Sequence, residues 1–386
     1  MKDFEFYNST RIIFGKGKTT LLGELTYPYG RRVLLVYGQA SAKRKGLLEI
    51  VKMSLDNAGI EYVECGGVKS NPVVSFVRSA IDLVRKMKLE AIVAVGGGSV
   101  IDTAKAIAAG VHYQSDVWDF FAGTARVLKA MPITVVLTLA ASASEMNDGG
   151  VITNEETQQK FGFGGEALLP KVSILDPMNT FSVPVDYTMY GAVDAIVHAL
   201  EGYFNSSDPD TPFQDRFVES LVLTIKEAAE TLLTNPVDYN ARANLMWCAT
   251  LALNGLTTAG VGVEGYPMHM IEHSLSALYD IPHGAGLAIV TPAWMRYHST
   301  RSPERFALFA DKIFCIRKDS VEEQAKIGID SFEQWLRTIG TPTRLRDVGI
   351  PTTDITKIAE NAVMLAQRWN LKNYTKEVIS QILSLA

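Results

Sequence analysis

The sequence predicts an α/β protein in two parts: a doubly wound parallel sheet over residues 1–183 and an all-helical half over residues 184–386. Three observations carry this. Short β-branched runs alternate with helical patterns in the first half, such runs nearly vanish after Ser182, Val183 and Pro184, and one apolar strand runs straight into a glycine cluster. A chain of 386 residues, 47% of them hydrophobic, exceeds what one core usually organises, so two domains are expected.

The strand candidates are residues 11–14, 32–37, 61–65, 91–95, 133–139 and 172–175, short β-branched runs separated by helical patterns. The helical half shows apolar residues recurring at three and four over 215–233, 241–259, 331–338 and 353–368. With 37 Lys plus Arg against 42 Asp plus Glu, the net charge of -5 offers no basic field for nucleic acid. The opening stretch MKDFEFYNSTRIIFGKGK lacks the pattern of a signal peptide, and no apolar run reaches the roughly 18 residues of a membrane span. A cytoplasmic protein without membrane or nucleic-acid partners is expected. Cys65, Cys248 and Cys315 are too far apart for a metal knuckle and odd in number, so inert or buried thiols are expected.

The apolar strand 91–95 leads into Gly96, Gly97, Gly98 and Ser99, then into an Ala-rich helix over 103–111. Glycines let the backbone approach a phosphate closely, and a helix N-terminus offers free N–H groups to an anion. A tight structural turn would look the same from this feature alone. A second turn, Gly38, Gln39, Ala40 and Ser41, follows the second strand, where a dinucleotide-binding sheet meets the adenosine ribose. No carboxylate stands between Gly38 and Ala42, and Lys43, Arg44 and Lys45 follow closely. That favours NADP(H) over NAD(H), since basic residues suit a 2'-phosphate.

Of only six histidines, His198, His269, His273 and His283 fall within two short stretches of the helical half. Asp194 and His198, four residues apart, share one helical face, as do His269 and His273, while His283 sits in a Pro-His-Gly loop. An Asp-x-x-x-His pair alone is more often a surface or capping pair. Joined to a second histidine cluster, it points to one divalent cation, and oxygen and nitrogen donors without sulfur suit Fe2+ or Zn2+. HMIEH differs from HExxH, which disfavours peptidase chemistry.

Taken together, TRIIFGKGK, GVKSNP, GGGSVIDTAKAIA, LTLAASASEMN, PKVSILDP, GAVDAIVHALE, ARANLMWCATLALNG and the final HxxxHSLSALYDIPHGAGLAI closely resemble the iron-containing (group III) alcohol dehydrogenases. The branch is that of butanol dehydrogenases and NADPH-dependent aldehyde reductases. The resemblance implies a Rossmann-like, dehydroquinate-synthase-like sheet domain and a helical domain holding the metal through Asp194, His198, His269 and His283. It places cofactor contacts on Gly38, Gln39, Ala40, Ser41 and Asn71, on Gly97, Gly98, Ser99 and Asp102, and on Thr138, Ser142 and Lys160. His273 is then a non-ligand beside the metal, either a proton relay or a residue that packs and orients a ligand. A homodimer is implied as well, with residues 11–14 pairing across subunits.

This chain departs from the family string Thr-Gly-Thr/Ser-Glu in carrying Ser142, Ala143, Ser144 and Glu145, and Tyr266 stands where many relatives have Trp. The expected reaction is hydride transfer between a nicotinamide and a short-chain aldehyde or alcohol, with the metal as Lewis acid. A glycerol-dehydrogenase-like polyol enzyme, a non-redox metal-dependent synthase and a non-catalytic binding protein are the alternatives. The synthase would need basic residues where Met268, Met270, Ile271, Leu275 and Leu278 stand, and the polyol enzyme would normally lack a fourth ligand such as His198.

Overall fold

The computed structural model describes residues 1–39, 46–207 and 210–386. Among these the strands are β1 (Arg11–Phe14), β2 (Arg32–Gly38), β3 (Glu61–Val68), β4 (Ala91–Gly96), β5 (Ile133–Leu137), β6 (Gly149–Asn154), β7 (Gln159–Gly164) and β8 (Val172–Leu175). The helices of the first half are α1 (Leu22–Thr26), α2 (Leu47–Asn57), α3 (Val74–Met87), α4 (Gly98–Gly110) and α5 (Trp118–Ala122). The second half contains α6 (Val185–Phe204), α7 (Pro212–Thr234), α8 (Tyr239–Ala252), α9 (Pro267–Tyr279) and α10 (His283–Ser299). It ends with α11 (Glu304–Phe314), α12 (Val321–Thr338), α13 (Ile355–Arg368) and α14 (Lys376–Leu383).

Six strands form one parallel sheet in the order β1-β8-β5-β4-β2-β3. Parallel strands need crossover connections whose helices cover the faces, so their central residues are buried on both sides. Val33, Leu35, Val93 and Val95 accordingly pack with Leu48, Val51 and Leu55 of α2, while Leu34, Val36, Ile92 and Ala94, which alternate with them, are equally inaccessible. Burying each such aliphatic side chain contributes about 2 kcal/mol. The continuous apolar runs of the sequence follow from this double coverage.

The chain divides into two compact units. One comprises Tyr7–Pro184 with Asn235–Asn254; the other comprises Met1–Phe6, Val185–Thr234 and Gly255–Ala386. A cut between residues 183 and 184 therefore leaves two segments apart from the unit they pack with. α8 is the larger. Its sequence pattern extends to residue 259, but the helix stops at Ala252, and Thr250 Oγ1 donates to the buried Glu145 carboxylate at 2.5 Å. The helix after the glycine turn begins earlier than its Ala-rich stretch, at Gly98.

An antiparallel hairpin, β6 with β7, interrupts the parallel order. Phe161 stacks on Trp118 with ring centroids 5.8 Å apart, and Phe163 packs on Phe121 at 4.4 Å. Of the three thiols, Cys248 is buried, Cys65 half-buried and Cys315 exposed, so burial does not extend to the last. No helix among the described residues is long and apolar enough to cross a membrane.

Candidate metal centre and dinucleotide turn

α6 projects Asp194 and His198 from adjacent turns of one face, and α9 does the same for His269 and His273. Pro267 occupies the first turn of α9, where its missing N–H costs nothing and its fixed φ favours the helix. α10 begins on His283 itself, directly after Pro282. Gly284 allows that placement, because a Cβ there would collide with the Tyr190 carbonyl of α6, one turn before Asp194.

Asp194 Oδ1 lies 3.2 Å from His198 Nδ1, 3.6 Å from His269 Nε2 and 3.7 Å from His283 Nε2. The His198 and His269 rings stack with centroids 4.3 Å apart, and His269 and His283 lie at 5.4 Å. Asp194 Oδ1, His198 Nδ1 and His269 Nε2 are all buried with no hydrogen-bond partner among the described residues. Leaving such an atom unsatisfied costs about 1–3 kcal/mol, and three of them facing one point are difficult to account for without a cation. Residues and geometry thus fit a divalent metal. His283 is the ligand candidate open to solvent, its side chain 25% exposed against 6–7% for the others.

Two carboxylates that the sequence reading missed stand behind the histidines. Glu201 accepts the His269 backbone N–H at 2.9 Å, and its Oε1 lies 3.0 Å from His269 Nδ1. Glu272 Oε2 holds His283 Nδ1, and Ser276 donates to its other oxygen. A carboxylate on one ring nitrogen fixes the tautomer that turns the other nitrogen's lone pair to a metal. Both glutamates are fully buried. Their signal in the sequence is spacing: Glu201 lies seven residues after Asp194, and Glu272 three after His269.

Electrostatics favour a cation here. Burial alone would raise the Asp194 carboxyl, yet His198, His283 and His269 hold it well below the usual carboxylate range. Burial pushes His198 down to about 3 despite the adjacent Asp194, leaving a neutral imidazole. His269 is instead lifted to about 9, because Asp194 and Glu201 outweigh its burial. The same two carboxylates that favour a proton at that ring favour a metal ion. His273, also buried, stands with its ring 5.6 Å from His283 and edge-on to Trp369 at 5.8 Å, and Tyr266 is edge-on to His269 at 6.2 Å.

In the other unit β4 passes through Gly97, in extended conformation, into α4. Gly98 faces Ser142 so closely that a Cβ would strike its hydroxyl, and Ser142 Oγ is buried without a partner among the described residues. A polar atom left unsatisfied against a helix N-terminus fits an anionic phosphate seat. Thr138 donates its N–H to the Gly96 carbonyl at 3.0 Å, and the Ser99 hydroxyl donates to the Ser70 carbonyl.

The β6–β7 hairpin brings Lys160 to Asn71, whose Oδ1 accepts from Nζ at 3.2 Å. The Asp102 carboxylate accepts from Ser144 Oγ at 2.6 Å and Val151 N–H at 2.9 Å, so part of its capacity serves the protein itself. Gly38 ends β2 and Gln39 follows it. Ala40, Ser41, Lys43, Arg44 and Lys45 lie outside the described residues.

A glycine turn at the end of a parallel sheet, together with an Asp-His cation cluster, is the equipment of a metal-dependent nicotinamide dehydrogenase. Two family descriptions cover the chain: "Iron-containing alcohol dehydrogenase" matches residues 9–177, and "Fe-containing alcohol dehydrogenase family, C-terminal" matches residues 188–386. The chain belongs to the iron-containing alcohol dehydrogenase family. It is 42% identical over 385 residues to a probable NADH-dependent butanol dehydrogenase 1 of Bacillus subtilis, covering 99% of each chain. It is 37% identical over 359 residues to the NADPH-dependent aldehyde reductase YqhD of Escherichia coli, covering 92% of this chain and 91% of that one. The crystal structure of NADH-dependent butanol dehydrogenase A from Thermotoga maritima superposes with a TM-score of 0.96 at 46% identity, covering 100% of this chain and 99% of that one.

Proposed function

We propose that this chain interconverts short-chain primary alcohols such as butanol and their aldehydes, using NADP(H) or NAD(H) and one divalent metal, Fe2+ or Zn2+. The observation that carries the metal is the convergence of three buried, unpartnered ligand atoms on Asp194, His198 and His269, with His283 Nε2 beside them. Asp194, His198, His269 and His283 would hold the ion. A metal held there supplies a Lewis acid that polarises a carbonyl, and the nicotinamide supplies the hydride. Relatives named for butanol and for aldehyde reduction support the substrate class.

The chain's own residues provide the rest. Gly97, Gly98 and the N–H groups opening α4 seat the pyrophosphate, with Ser99, Ser142, Thr138, Asp102, Asn71 and Lys160 around the dinucleotide, and with Gly38, Gln39, Ala40 and Ser41 at its ribose. In aldehyde reduction one hydride reaches the carbon and one proton reaches the oxygen; His273 relays that proton through its imidazole. NADP(H) is preferred, the support being the absence of a carboxylate from Gly38 to Ala42 and the bases Lys43, Arg44 and Lys45. The enzyme works as a homodimer through β1, which pairs with β8 on one side and forms a sheet edge on the other.

Purified protein supplied with butanal, NADPH or NADH, and Fe2+ or Zn2+ tests the reading by cofactor absorbance. Oxidation of NADPH, faster than that of NADH, is expected. No oxidation of either across a panel of short aldehydes would sink it.

A further inference from the structure

The deepest charge in the sheet unit is one that the proposed chemistry leaves unused. Lys105, on α4, is fully inaccessible to solvent, and no carboxylate among the described residues is bonded to it. Its ammonium donates instead to Asn147 O at 2.8 Å, Asn147 Oδ1 at 2.9 Å and Gly149 O at 2.7 Å. Burying an ammonium is costly, and here burial pushes it down to about 8 although Asp102, Asp148 and Glu145 oppose the shift. A methylene chain would fill the same space without that cost, so the charge is retained for what it holds.

What it holds is the loop that carries Ser142. Asn147, fixed by Lys105 through two oxygens, donates its Nδ2 to the Ser142 carbonyl at 3.2 Å. Asp102, one turn earlier on α4, grips the same loop through Ser144 and the strand beyond it through Val151. Thus α4, whose N-terminus is the glycine turn, fastens the loop from Ser142 to Gly149 at several points. The unpartnered Ser142 hydroxyl is thereby pressed against Gly98.

We propose that Lys105 is a positioning residue for the cofactor: through Asn147 it sets the Ser142 hydroxyl against the glycine turn, so that both meet the dinucleotide as one rigid seat. This rests on the proposed use of a nicotinamide dinucleotide. Lys105 itself touches neither cofactor nor substrate.

The test measures binding without turnover. NADPH and NADH are titrated into wild type and Lys105→Met, following tryptophan fluorescence, with metal content and melting temperature recorded alongside. Removing the ammonium is expected to raise the cofactor Kd about tenfold, equivalent to about 1.4 kcal/mol. Cofactor KM should rise in step while kcat falls less, and metal content should not change. A merely structural lysine would lower the melting temperature and leave Kd alone. Should Lys105→Met fail to fold, Asn147→Ala decides, with a Kd increase of about threefold expected. An unchanged Kd in a folded Lys105→Met protein, or in Asn147→Ala where the former does not fold, overturns the proposal. Wild type that binds neither dinucleotide overturns the proposed function instead.

Discussion

Glu201 and His273 are both buried near the cation cluster, yet they should fail in opposite ways when replaced. Glu201 grips His269 twice, at its backbone and at Nδ1, so Glu201→Gln loosens the ring that faces Asp194. Metal affinity should fall about 10–100-fold, measured by competition with a chromophoric chelator. His273→Ala should leave metal content unchanged and lower turnover about 100-fold, since a positioned proton donor contributes on that scale. Loss of metal in His273→Ala would contradict its role as a relay. Ala143 is a third case. It sits fully buried at φ +53°, a left-handed conformation that its Cβ disfavours, where the family string has glycine. Ala143→Gly should stabilise the fold by about 1 kcal/mol in denaturant titration, and a loss of stability would show that the methyl's packing matters more.

Among the elements, those that bury one uniform surface were legible and those that bury a mixed one were not. β2 and β4 read as apolar runs, and β5 and β8 as runs broken only by the small buried hydroxyls of Thr134 and Ser173, because helices cover both faces of the sheet. The β6–β7 hairpin was missed: Gly149, Gly150, Gly162 and Gly164 thin its apolar alternation, and its burial comes from Trp118, Phe120 and Phe121 elsewhere in the chain. Lys160 and its contact with Asn71 therefore had no local signal beyond family likeness. The cation cluster was easier, since histidine is scarce and four-residue spacing on a helix is visible. Glu201 and Glu272 were hidden because isolated acids on helices usually face water.

α10 offers a test at this scale. His298, in its last turn, would ordinarily be favoured as a cation by the helix dipole. Burial against Trp294 and Tyr374, and then Arg301 nearby, instead push it down to about 4. The folded chain keeps it neutral while the unfolded chain takes up a proton below pH about 6.5. Stability should therefore be fully present above that pH and fall by on the order of 2 kcal/mol as pH drops from about 6.5 to about 4. In His298→Gln this part of the pH dependence should vanish, and an identical pH profile would contradict the assignment.

For the whole molecule, the change from alternating strands and helices to helices alone near Pro184 was readable, because period and residue type both change there. The return of Asn235–Asn254 to the sheet unit was not. Its helix carries ordinary amphipathic spacing, and only long-range contacts such as Thr250 with Glu145 and Trp247 with Phe14 show which unit it joins. The dinucleotide turn belongs to one unit and the cation cluster to the other, and the proposed reaction draws on both and on a bound metal. Titrating metal-stripped protein with Fe2+ or Zn2+ while following NADPH-dependent butanal reduction tests this most directly. The account predicts negligible rate without metal and a linear rise that saturates at one ion per chain. Full activity in metal-free protein, or a rate indifferent to added metal, would contradict it.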